Sequence, residues 1–75
     1  MLNTDRRVLN AIAELLAENR KRIIYDQIAE RAIVSKNTVM NAVARLQEEG
    51  HLVTERPNSA SPYQYRIIDN EHSDG

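Results

Sequence analysis

Residues 35–52 read SKNTVMNAVARLQEEGHL. Val39, Val43 and Leu46 recur at i, i+4 and i+7 with Ala42 beside them, which is the spacing of one buried stripe on a helix. Ser35 supplies a hydroxyl suited to the N-cap, and Gly50 supplies the residue that tolerates the left-handed turn at a helix C-terminus. With the stripe facing inward, Asn37, Asn41, Ala44 and Glu48 face outward, flanked by Lys36, Thr38 and Arg45. The helix therefore has a buried side and a short, amide-rich side, and what meets the second side decides the function.

Working outward, HLVTE and YQYRII are two short β-type runs joined by RPNSASP, whose prolines and small polar residues suit a loop. Leu52, Tyr63, Tyr65 and Ile67 offer the hairpin's apolar face to the helices. Upstream, a short helix is expected over about residues 26–32, with Ile28 inward and Ala29 small enough for close approach. The β-branched run RIIY before it predicts a small edge strand. A first helix is expected from Thr4, with its hydroxyl as N-cap and Asp5 against the helix dipole, and Val8, Ile12, Leu15 and Leu16 form its buried stripe up to about Glu18. The expected fold is α+β: three helices, a C-terminal two-stranded hairpin and a short third strand.

The chain has 75 residues, enough for one thin core, since a chain this short buries only about 60% of the surface its unfolded form exposes. Walling off a ligand pocket of about 300 Å³ or more is hard at this size, so a surface-binding module is expected and neither a small-molecule ligand nor a cofactor. No nucleophile, base and orienting group cluster in a motif, so no enzyme is expected. With no cysteine, and His51 and His72 far apart, neither a disulfide framework nor a metal site is predicted. No apolar run reaches the roughly 18–20 residues that span a bilayer, and no signal-peptide order opens the chain, so a cytoplasmic protein is expected.

The net charge of −1 argues at first against nucleic acid. Three of the eleven acids lie in the last seven residues, DNEHSDG, so residues 1–68 hold all ten bases against the other eight acids. The reading is a mildly basic domain over 1–68 and a disordered acidic tail over 69–75.

The stretch YDQIAERAIVSKNTVMNAVARLQEEGHLVTERP, residues 25–57, resembles the winged helix-turn-helix of bacterial, phage and plasmid transcription regulators. The resemblance rests on Ile28-Ala29-Glu30-Arg31, Val34-Ser35, Thr38-Val39, the run LQEEG and the strand HLVTE, and with the first helix and the wing it extends over about 4–68. It implies that the third helix enters the major groove of duplex DNA. In that groove Asn pairs bidentately with adenine and Arg with guanine, so Asn37, Asn41 and Arg45 are the candidate readers. Lys36 and Thr38 at the helix N-terminus and Arg56 and Arg66 framing the wing are the candidate phosphate contacts. The densest basic run, NRKR at 19–22, lies after the first helix and reads as a solvated charge cluster. A two-fold dimer on a palindromic site is expected, formed through the first helix, the strand edge or the DNA itself.

Transcriptional regulation as a repressor is the expected role. A replication, partition or excision module of a mobile element would use the same fold, and a protein-contact winged helix is the alternative of another class. Two positions depart from the family pattern. Ile33 stands where the family usually has a turn glycine, so either the turn is reshaped or Ile33 takes a different backbone angle. The second helix lacks a Ser or Thr cap, leaving Asp26 to serve as cap or first-turn charge.

Overall fold

The computed structural model of the protein describes residues 1–19, 22–55 and 64–68. Three helices, α1 (Asn3–Ala17), α2 (Tyr25–Ala32) and α3 (Lys36–Glu48), are followed by strands β1 (Leu52–Glu55) and β2 (Gln64–Ile67). The strands form an antiparallel two-stranded sheet, pairing Leu52 with Ile67, Val53 with Arg66, Thr54 with Tyr65 and Glu55 with Gln64. This is the winged helix-turn-helix architecture that the sequence resemblance implied.

The helical stripes meet at one core. Val8, Ala11, Ile12 and Leu15 of α1, Ile28 and Ala32 of α2, and Val39, Ala42, Val43 and Leu46 of α3 are all buried. The hairpin closes its open end with Leu52 and Tyr65, β1 leaning on α3 and β2 on α1. Burial of the Tyr65 ring raises its hydroxyl pKa well above the ordinary tyrosine value, with Tyr25 nearby adding to the shift. Each fully buried Leu, Ile or Val contributes about 1.5–3 kcal/mol. Helix α2, at eight residues, is too short to persist alone, and it stands because its neighbours bury it. Arg31 adds a clamp to α1, its Nη1 lying 2.8 Å from Glu18 Oε2 and 3.2 Å from Glu14 Oε1.

Two local expectations are corrected, and a third, Asp5 in the first turn of α1, holds. Residues 22–24 form no strand, and among the described residues the sheet has only β1 and β2. Ile23 is buried in the helical core instead, so the β-branched run serves packing rather than pairing. Thr4 does not cap α1: the helix starts at Asn3 behind an extended Leu2 that makes no side-chain cap. Asp5 lies inside the first turn with no exposed surface, because it turns inward to a partner on α3.

Ile33 keeps the turn and takes the strain. Its backbone sits at φ 60°, ψ 52°, the left-handed region, where the N–H groups of Ile33 and Val34 both donate to the Ala29 carbonyl and end α2. The left-handed turn is thus made with a β-branched residue. The side chain points out and is 78% exposed. Helix α2 starts at Tyr25, one residue earlier than expected, and Asp26 stands in its first turn as a charge, without a side-chain cap at Ile24.

The loop RPNSASP with Arg56, Tyr63, the bases Arg20 and Lys21 of the NRKR run, and the acidic tail lie outside the described residues.

Candidate nucleic-acid interface

Both ends of α3 are fixed by its own sequence. Ser35 Oγ accepts from the Thr38 N–H at 3.1 Å, and the two hydroxyls lie 2.8 Å apart. The Thr38 side chain is therefore half-buried in the cap, and its hydroxyl reaches a phosphate only by sharing that bond. At the other end Gly50 adopts φ 81°, letting its N–H reach the Gln47 carbonyl and the His51 N–H reach the Leu46 carbonyl. These two bonds satisfy carbonyls that the helix end would otherwise leave open. They also turn the chain directly into β1.

Between these caps α3 carries two stripes of the same spacing. Val39, Ala42, Val43 and Leu46 are buried. Asn37, Met40, Asn41 and Ala44 repeat the i, i+3, i+4, i+7 pattern on the opposite side and are all exposed. The expected Asn37 and Asn41 thus share one outward surface. Met40 joins them with 46% of its surface exposed. Sequence reasoning passed over Met40 because an apolar residue beside Val39 reads as core margin, although its 100° offset from Val39 on the wheel was a usable signal.

Arg45 does not belong to that surface. Its Nε donates to Asp5 Oδ2 at 2.9 Å and its Nη2 to Asp5 Oδ1 at 2.8 Å, a side-on bidentate pair joining the last turn of α3 to the first turn of α1. On the wheel it flanks the core stripe at the side covered by α1, so its guanidinium reaches Asp5 while part of the side chain stays in solvent. The hydrogen bonds from Arg45 hold the Asp5 carboxyl below the ordinary aspartate value of 3.8, outweighing the opposite effect of burial. Asp5 in turn raises the Arg45 pKa. Arg45, expected from the sequence as a reader of guanine, is thus paired with Asp5 while 41% of its side-chain surface stays exposed. The pairing was invisible in the sequence because forty positions separate the partners.

Lys36 opens α3 with its Nζ 3.5 Å from Asp26 Oδ1, both side chains being well exposed. An exposed pair of this kind is worth about 0–1 kcal/mol, so a phosphate displaces Asp26 at little cost. Tyr25 and Ile24 line a small recess of about 170 Å³ beside this pair. Arg66 is exposed on the outer face of β2, opposite Val53, where Val53, Glu55, Gln64 and Tyr65 line a shallow depression with it. The described candidates thus separate into an amide stripe on α3, a cation at its N-terminus and a cation on the wing.

Among the described residues no group of three His, Asp or Glu side chains is placed to hold a metal ion. No helix among them is long and apolar enough to cross a membrane.

A family model described as an HTH domain matches residues 8–64. A search of curated proteins and a search of solved structures each returned no match.

Proposed function

The chain belongs to the helix-turn-helix domain family, a non-enzymatic family of DNA-binding modules, and on that premise we propose that it binds duplex DNA site-specifically and regulates transcription as a small repressor. The observation that carries this reading is the exposed stripe Asn37–Met40–Asn41–Ala44, diametrically opposite the buried one on the second helix of the motif. A helix of this diameter fits the major groove, and the amide groups are the right length to reach base edges there. Ala44 keeps that side of the helix low, so the backbone approaches closely.

Affinity comes from phosphates. Lys36 and the opening N–H groups of α3 face one strand, and Arg66, with Arg56, serves the wing. Arg45 and Asp5 contribute indirectly by fixing how α3 projects from α1. A single module has a small footprint, so two copies on a palindrome with half-sites about one helical turn apart extend it. Occupying such a site blocks other proteins from it, which is how a bound chain of this size represses.

The test is a titration of labelled duplexes across salt concentrations. Site-specific binding gives a log–log slope of about −0.9 per phosphate neutralised, and Asn41→Ala weakens the preferred site by about 1–3 kcal/mol. Equal affinity for selected and random duplexes, or a silent Asn41→Ala, rejects the reading.

A further inference from the structure

The outward stripe of α3 has a definite chemistry. Ahead of Glu48, which ends this face, it has four exposed side chains, two of them carboxamides, Asn37 and Asn41, and two apolar, Met40 and Ala44. The spacing gives each amide an apolar neighbour one turn on: Met40 lies three residues after Asn37, and Ala44 three after Asn41. The one arginine on this helix is committed to Asp5 through two short hydrogen bonds. Lys36 stands at the first residue of the helix, paired with Asp26, where it serves the backbone rather than the middle of the groove.

Each base pair presents a distinct pattern in the major groove. Guanine is read by a cation on O6 and N7, and the centre of this stripe has no cation to offer. Adenine offers N7 as acceptor and N6 as donor, which one carboxamide satisfies in full. Thymine, its partner, offers a C5-methyl group that gains from an apolar neighbour. An A·T pair therefore presents, side by side, what an Asn and an adjacent Met or Ala can use together. Met40 is also long and flexible, so it fills the space over a methyl group without fixing a single rotamer.

We propose that α3 selects A·T pairs, Asn37 and Asn41 reading adenine while Met40 and Ala44 pack on thymine methyl groups. This rests on the reading of α3 as the groove-facing helix, and it adds the class of sequence that helix selects.

The experiment begins with selection from a randomised duplex pool using the full chain. Enrichment of A·T pairs at the positions protected in the major groove is expected. In the enriched site each protected thymine is then replaced by uracil, which deletes only the methyl group. An affinity loss of about fourfold per contacted methyl is expected for the unaltered chain. Met40→Ala, a change at an exposed position that leaves the core intact, should bind more weakly and lose most of its sensitivity to uracil at one thymine. Replacing the protected adenines one at a time by 7-deazaadenine should likewise weaken the unaltered chain, and Asn41→Ala should lose that sensitivity at one adenine while keeping it at the adenine read by Asn37.

Enrichment of G·C under α3 overturns the proposal while leaving site-specific DNA binding intact. So does A·T enrichment that survives uracil replacement, because groove shape then carries the selectivity. Retention of full uracil sensitivity by Met40→Ala at every thymine also overturns it. If no duplex is enriched over the starting pool, the groove-facing role of α3 falls, and the inference falls with it.

Discussion

Ile33 carries the most informative conformation in the chain. A β-branched side chain at φ 60° crowds its own backbone, and holding a residue there costs about 1–3 kcal/mol. Little is recovered by packing, since the side chain is 78% exposed. Ile33→Gly should therefore stabilise the fold by about 1 kcal/mol, the released strain being partly offset by the extra freedom of glycine in the unfolded chain. The check is a shift of the urea midpoint to higher concentration at unchanged m-value, and a less stable variant would contradict it. Asp5 carries the opposite kind of information, a carboxylate without exposed surface held by Arg45. Replacing it by Asn keeps its volume and loses charge-assisted hydrogen bonds, so Asp5→Asn should cost about 2 kcal/mol at neutral pH. The sign of the pH effect follows from the lowered pKa: the contribution is present above the unfolded value near 4 and is lost as pH falls through the folded value. The gap between the unaltered chain and Asp5→Asn should close on acidification, and a gap that widens below pH 4 would contradict the pairing.

Helix α3 is the element on which function and stability meet, and its two ends test separately. Ser35→Ala removes an acceptor for the Thr38 N–H and should cost about 1 kcal/mol of stability. It also loosens the turn that presents Lys36 and Asn37. At the other end a Cβ on Gly50 would meet no heavy atom within 4 Å, so the cost of Gly50→Ala is purely the left-handed backbone, about 1 kcal/mol. Denaturation of the two variants and their double mutant should give additive losses, because the sites lie at opposite ends of the helix. A non-additive result would show that the caps act through a common rearrangement. The element also shows why its two stripes differ in legibility. The core stripe Val39–Leu46 announces itself by hydrophobicity. The outward stripe is set by what the core leaves over, and residues at its margin, Met40 and Arg45, are assigned only once their neighbours are known.

At the scale of the whole molecule, the three helical stripes and the hairpin were legible because each element shows its period locally and each had to bury one side. The exposure of Asn37, Asn41 and Lys36 was legible for the same reason: a helix wheel fixes which residues face away from a core. Net charge was a poor guide, since binding of a polyanion depends on where bases sit. A salt titration counts those in use, and Lys36→Ala should reduce the slope by about one phosphate's worth while Arg22→Ala leaves it nearly unchanged. An equal reduction for both would assign the basic run after α1 to the interface. What the chain determined by itself was its secondary elements, the inward stripes, the Ser35 cap and the Gly50 turn, all of which depend on residues within a few positions of one another. Tertiary structure alone decided that Ile23 packs rather than pairs, that Ile33 holds the left-handed turn, and that Arg45 belongs to Asp5. The first and last of these depend on partners brought from far along the chain, and the Ile33 turn on the packing of α2 and α3 that its local bonds to Ala29 allow.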